Sequence, residues 1–246
     1  MSTLPTASQP IPIELVAHRG ANRLRMENTL AAFALALDQG ADAIELDVHA
    51  TSDGVVIVHH DPDVADKGRQ GAKRQRLNEL SWDQAKAIRL SGDESMPRLA
   101  EVLALAESRA RVYVEIKGER IEAAVVQTIR DSRTDCAVHS FDHDVIGRVR
   151  ALAPELARGL LLDKGDVRGD DVGALIRRFG ARDLWPHRSL IDDALVSAAH
   201  RAGARVVAWT VNAPPHARSL AALGVDALCT DDVPRVARAI GATGVD

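Results

Sequence analysis

Eight short apolar runs, each followed by a longer stretch of helical periodicity, succeed one another along almost the whole of this chain. The runs are Leu15 to His18, Ala43 to Thr51, Val112 to Lys117, Ala137 to Phe141, Arg158 to Leu162, Asp183 to His187, Val206 to Val211 and Ala227 to Thr230. Between and after them, apolar spacing of three and four predicts helices near 28–39, 97–109, 120–132, 143–152, 171–179, 190–202, 214–223 and 232–241. Strands that read as near-continuous apolar runs belong to parallel sheets buried on both faces. Eight such units are the number that closes a barrel. An open doubly wound sheet competes, but the first strand–helix turn lacks its GxGxxG fingerprint. The predicted class is therefore α/β, a single (β/α)8 TIM barrel over residues 13–246, with residues 1–12, carrying Pro10 and Pro12, as an extended lead-in.

Bulk properties narrow the partners. A chain of 246 residues suits one barrel domain. A net charge of −4 gives no support to nucleic-acid binding, which calls for concentrated Lys and Arg, and points to a small-molecule partner. No apolar stretch reaches the roughly 18 residues of a membrane span, and MSTLPTASQPIPIE does not read as a secretory signal. Cys136 and Cys229 sit far apart in apolar strands, as expected of buried thiols in a reducing cytoplasm. Nothing in the composition fixes an oligomeric state.

One segment breaks the βα rhythm. Val55 to His60 reads as a strand, and only Ser52, Asp53 and Gly54 separate it from the second run, too few residues for a parallel crossover. A hairpin extension after strand 2 is predicted. Asp-Gly favours a two-residue turn that pairs Ser52 with Val55 and, counting back, Asp47 with His60; His59 then points away. A one-residue slip would exchange the two histidines.

Polar residues cluster where the strands end. His18 in AHRG, Glu45 and Asp47 in IELDV, His60 in IVHHD and Glu115 in YVEIK all fall there, the rim on which barrels assemble active sites. Three carboxylates suit a divalent cation, and two imidazoles can serve as base and acid. Together they predict metal-assisted cleavage of a phosphate ester. Arg19 adds a planar donor fork for phosphate oxygens, with Lys117 beside Glu115. Glu27 and Asn28 are read either as helix caps or as support for the metal site. Trp209 is an apolar wall or core. His139 and His187 read as structural, and Asp231 as the cap of the last helix.

The segments AHRG, ENTLAAF, GADAIELDVHATSDGVVIVHHD, YVEIKG, SFD, AWTVN and GVDALCTDDV, in that order and spacing, resemble the glycerophosphodiester phosphodiesterase family from about His18 to Asp232. The resemblance implies a barrel enzyme that hydrolyses glycerophosphodiesters to an alcohol and glycerol 3-phosphate with one divalent cation, Ca2+ or Mg2+. It implies Glu45, Asp47 and Glu115 as metal ligands, His18 as the base and His60 as the acid. Arg19 and Lys117 would hold phosphate oxygens, and Trp209 would touch the substrate.

Two departures stand out: Met26 replaces the proline usual before ENT, and the segment after HHD carries Lys67, Arg69, Lys73, Arg74 and Arg76 in place of a Thr-rich turn. Those five cations read as a solvated mobile loop or as a basic lid for a substrate of extra negative charge. Two rival functions are a phospholipase D acting on lysophospholipids and a silent sugar-phosphate-binding barrel. Three Phe, three Trp and one Tyr offer few interfacial aromatics for the first. The second has no need of five intact polar residues.

Overall fold

The structure, a computed structural model, describes residues 13–166 and 171–241. The expected lead-in at 1–12 lies outside the described residues, as do 242–246.

Among the described residues, eight strands run parallel and close on themselves: β1 (Glu14–His18), β2 (Ala43–Ala50), β6 (Arg111–Ile116), β7 (Cys136–Ser140), β8 (Ala157–Leu162), β9 (Asp183–Pro186), β10 (Arg205–Ala208) and β11 (Ala227–Thr230). β11 pairs with β1 and β1 with β2, completing the ring. β3 (Val56–Val58) lies antiparallel on the upper part of β2. Two further short strands, β4 (Asp63–Val64) and β5 (Gln75–Arg76), pair outside the barrel. Helices α1 (Leu30–Asp38), α3 (Leu99–Ala106), α4 (Glu122–Arg130), α5 (His143–Leu152), α6 (Asp171–Phe179), α7 (Asp193–Arg201), α8 (Pro214–Ala222) and α9 (Val233–Ala239) surround it. Each falls inside a predicted helical window. A single-turn helix, α2 (Trp82–Ala85), belongs to the segment between β3 and β6.

Strand alternation divides the apolar residues between two layers. Leu15, Ala17, Ile44, Leu46, Val114 and Val138 face outward into the strand–helix core. Val16, Ala43, Tyr113, Ala137, Leu161, Trp185, Val207 and Ala227, one from each strand, fill the barrel interior. A residue two positions further on shares that inward face, so the interior layer dictates what stands above it at the C-terminal rim. That rule carries Val16 to His18, Ala43 to Glu45, Tyr113 to Glu115, Ala137 to His139 and Val207 to Trp209.

The hairpin register differs by one residue from expectation. Val48 pairs with Val58 and Ala50 with Val56, so the loop holds three residues, and Gly54 takes φ +82° after a turn closed by its N–H on the Thr51 carbonyl (2.9 Å). A type I turn followed by a left-handed glycine is the three-residue alternative to the Asp-Gly two-residue turn. Asp47 thus faces His59, whose N–H reaches the Asp47 carbonyl at 3.0 Å. β3 ends at Val58, however, and the chain then turns, so His60 still reaches the site, although not by the predicted pairing.

The segment beyond β3 has a small core of its own, in which Ile57, Val64, Leu77, Ile88 and Met96 pack together. Lys67, Arg69, Lys73, Arg74 and Arg76 are exposed on it.

Candidate active site

His18, Arg19, Glu45, His60, Glu115, Lys117 and Trp209 line one cavity of about 180 Å3 at the C-terminal rim. A wider open depression of about 970 Å3 adjoins it and shares His60, Glu115, Lys117 and Phe141 with it. Of the sequence-predicted residues, Asp47 alone stands behind the cavity wall, fully buried.

Register explains the convergence. His18 pairs with Glu45, Asp47 with Glu115, and Glu115 with His139, so these side chains follow one another around the inside of the barrel. His18 is fixed by Asp231: Nδ1 donates to Oδ1 at 2.7 Å. Asn22 and Asn212 donate to the same carboxylate at 2.7 and 2.5 Å. Burial would raise the Asp231 pKa, but these donors bring it down to about 2. Burial likewise would lower that of His18, and the Asp231 bond with the nearby Glu45 charge leaves it raised instead. Asp231 is therefore not the cap of α9; its neighbour Asp232 is, accepting from Arg235 N at 3.2 Å.

His60 Nδ1 donates to Asp61 Oδ1 at 2.9 Å. Arg74 holds the other Asp61 oxygen at 2.8 Å and also pairs with Asp63. One of the five basic residues thus backs the His60–Asp61 pair instead of standing in solvent alone. Behind His60, the buried His49 Nε2–H donates to the His60 carbonyl at 3.2 Å.

The loop after β1 is shaped by backbone demands. Arg19 and Gly20 both take positive φ, +54° and +81°. A Cβ on Gly20 would meet the Ala32 carbonyl carbon at 2.7 Å, so the residue after Arg19 is held to glycine by conformation and by close approach. The turn aims Arg19 at the carboxylates: its N–H reaches Glu45 Oε2 at 3.2 Å, Nε lies 3.0 Å from Asp47 Oδ2, and Nη1 donates to Glu27 at 3.1 Å. Asn28 Nδ2 donates to Asp47 Oδ2 at 2.9 Å, while Thr29 caps α1. Glu27 and Asn28 support the carboxylate cluster and do not cap the helix.

The carboxylates are crowded and dry. Glu45, Asp47 and Glu115 are 3%, 0% and 7% exposed. Burial, then the Asp47 charge, pushes the Glu115 pKa up. Lys117 lies 2.7 Å from Glu115 Oε1 and 3.5 Å from Asp47 Oδ1; burial would lower its pKa, but those carboxylates hold it raised. Against three carboxylates the cluster sets two permanent cations, Arg19 and Lys117, and buried Asp47 Oδ1 accepts no hydrogen bond. Glu45, Glu115 and His139 each offer a ligand atom, all within 4.8 Å of one another. A divalent cation fits this donor set and its excess of negative charge. His139, read from the sequence as structural, stands beside the carboxylates; its inward parity with Ala137 is the signal that places it there.

Trp209 is half-buried. Its indole N–H donates to the Trp185 carbonyl at 2.9 Å, and its ring meets Phe141 edge-on at 5.4 Å. Together they form an aromatic wall at the cavity mouth. His187 caps a short turn by accepting from Ser189 N at 3.2 Å. Cys136 and Cys229 are buried free thiols.

Known proteins share both sequence and shape. The profile of the Glycerophosphoryl diester phosphodiesterase family matches residues 18–235. A glycerophosphodiester phosphodiesterase of Caldanaerobacter subterraneus subsp. tengcongensis is 32% identical over 230 residues, 89% of this chain and 93% of that protein. An Oleispira antarctica phosphodiesterase solved with the product sn-glycerol-3-phosphate superposes with a TM-score of 0.82 at 25% identity, over 94% of this chain and 97% of that one. A glycerophosphodiester phosphodiesterase from Agrobacterium tumefaciens str. C58 gives 0.79 at 26% identity, over 92% and 100%. The residues those matches span are the residues that build the rim site, and the protein is an enzyme of the glycerophosphoryl diester phosphodiesterase family.

Proposed function

We propose that this enzyme hydrolyses glycerophosphodiesters to sn-glycerol 3-phosphate and an alcohol, with His18 as general base, His60 as general acid and one divalent cation held by Glu45, Asp47 and Glu115. The observation that carries the reading is the opposed anchoring of the two imidazoles. Each spends Nδ1 on an aspartate, His18 on Asp231 and His60 on Asp61, in a cavity both line. An anchored Nδ1–H leaves Nε2 of His18 with its lone pair for the nucleophile's proton. Protonated His60 presents Nε2–H to the departing alkoxide; the bond-breaking step moves the nucleophile's proton onto His18 and the His60 proton onto the alkoxide, and exchange with solvent restores both rings. The nucleophile is water, or the substrate's own glycerol hydroxyl, in which case the alcohol leaves with formation of a cyclic phosphate that water then opens to glycerol 3-phosphate.

Arg19, with Nε on Asp47 and Nη1 on Glu27, has Nη2 left for a non-bridging phosphate oxygen, and Lys117, beside Glu115, would hold another. When bound, the cation supplies Lewis-acid withdrawal of charge from the phosphoryl group. Phe141 and Trp209 offer the glycerol carbons an apolar wall. The headgroup falls toward the open depression. In the Oleispira protein, sn-glycerol-3-phosphate is the bound product, which agrees in kind with this reading.

The test is release of glycerol 3-phosphate from glycerophosphocholine, glycerophosphoethanolamine and glycerophosphoinositol, after EDTA treatment and after Mg2+ or Ca2+ is restored. The proposal expects cation-dependent release from at least one. Silence on all three from folded, cation-loaded protein contradicts it and turns attention to lysophospholipid diesters.

A further inference from the structure

His139 carries an unexplained chemistry. It is 1% exposed, yet its Nδ1 makes no hydrogen bond, and its Nε2 lies 3.7 Å from Glu45 Oε1, beyond hydrogen-bond reach. Nδ1 is thus buried without a partner, while Nε2 stands beside Glu45 at the cavity that His139 lines, with no hydrogen-bond partner to keep it from taking a ligand. Its surroundings are built to hold the ring where it is. Trp185 meets it edge-on at 4.3 Å and Tyr113 stacks at 6.3 Å. On the neighbouring strand stands Gly159, where a Cβ would come 2.9 Å from Trp185 and 3.2 Å from His139 Cβ. The missing side chain makes room for both rings.

The register then places His139 next to Glu115, and a ring nitrogen of His139 with one oxygen each of Glu45 and Glu115 lies inside a 4.8 Å span. Ligands about 2.0–2.3 Å from one ion lie up to roughly 4.6 Å apart, so small side-chain adjustments suffice. Asp47 keeps one oxygen for the same ion: Asn28 and Arg19 hold Oδ2, while Oδ1, 3.5 Å from Lys117 Nζ, accepts no hydrogen bond.

We propose that His139 is a direct nitrogen ligand of the catalytic cation, together with Glu45 and Glu115, and that the site consequently selects a first-row transition dication over Ca2+ or Mg2+. This rests on the cation-dependent reading above, adds His139 to the carboxylates named there and refines the metal. Ca2+ and Mg2+ take oxygen donors almost exclusively, whereas imidazole favours transition ions. A mixed nitrogen–oxygen set in a dry pocket therefore discriminates by ligand chemistry.

The experiment uses the full chain, stripped of metal and reloaded with Mn2+, Ca2+ or Mg2+ singly. Electron spin echo modulation of the Mn2+-loaded protein should show a directly bound 14N that changes on 15N-histidine labelling and vanishes in His139→Gln. Calorimetry should give tighter Mn2+ than Ca2+ binding in the wild type. His139→Gln should weaken Mn2+ at least about tenfold and leave Ca2+ nearly unchanged. Mn2+ bound without a histidine nitrogen signal in the wild type overturns the inference and leaves the cation-dependent reading standing. Failure to bind any of the three cations overturns both. The wild-type spectrum decides the matter even where His139→Gln does not fold.

Discussion

At the scale of single residues, the two imidazoles of the cavity are each anchored through Nδ1 on an aspartate. Asp231, with Asn22 and Asn212 around it, keeps the His18 pKa above its usual value of 6.5 against the downward pull of burial. A general base acts in its neutral form, so the acid limb of the rate rises as pH passes the His18 pKa. Asp231→Asn removes the opposing charge and leaves burial to act. That limb should move to lower pH, and the plateau rate should fall by about two orders of magnitude as the ring loses its fixed tautomer. A limb that stays in place would separate Asp231 from the base. Gly20 gives a second test at this scale. Its Cβ clash is with the Ala32 backbone and not with a movable side chain tip, so Gly20→Ala should displace the Arg19 loop and raise KM together with lowering kcat, measured on glycerophosphodiester turnover.

At the scale of elements, the hairpin and the segment behind it decide how His60 is presented. Gly54 at φ +82° has open space around it, so Gly54→Ala meets backbone strain alone. A cost of about 1 kcal/mol is expected, lowering Tm by about 2–4 °C in a chain of this size, with the His60 site intact. Arg74 reaches from the basic segment to Asp61, and with the Asp61–His60 bond this makes a short chain from solvent to the site. Arg74→Ala should lower kcat several-fold, whereas neutralising Lys67, Arg69, Lys73 and Arg76 together should change only the salt dependence of KM. Equal effects from both changes would favour the reading of the five cations as a basic lid. The strand and helix windows followed from periodicity because each strand is buried on both faces. The hairpin register did not. Asp53-Gly54 is compatible with two loop lengths, and the choice lies in the left-handed φ of Gly54 and the Thr51 carbonyl it bonds, neither of which a sequence displays. Asp231 was misread for a related reason: two adjacent aspartates precede α9, and only the packing of β1 beside β11 shows which one faces His18.

At the scale of the whole molecule, a closed parallel barrel turns local alternation into a common site. Residues two positions beyond the interior layer reach the same rim wherever they occur in the chain, which is why His18, Glu45 and Glu115, read from strand ends alone, line one cavity. His139 follows the same rule but, as a lone histidine in an apolar strand, gives no sign in the sequence that it stands beside Glu45 and Glu115. The barrel gathers three buried carboxylates, and cation binding should therefore stabilise the fold as well as the transition state. Chelation is expected to lower Tm, and restored cation to raise it with the logarithm of concentration, as binding to the folded state alone requires. An unchanged melting curve would place the cation elsewhere. The most direct trial of the account compares pH profiles and leaving groups in one experiment: kcat/KM for wild type and His60→Ala on glycerophosphocholine and on an activated nitrophenyl phosphodiester. The account predicts a bell-shaped wild-type profile. It further predicts a loss of about 10²- to 10⁴-fold for His60→Ala on glycerophosphocholine, a much smaller loss on the activated ester, and disappearance of the alkaline limb. A single-limbed wild-type profile, or equal losses on both esters, would contradict the assignment of His18 and His60 as base and acid.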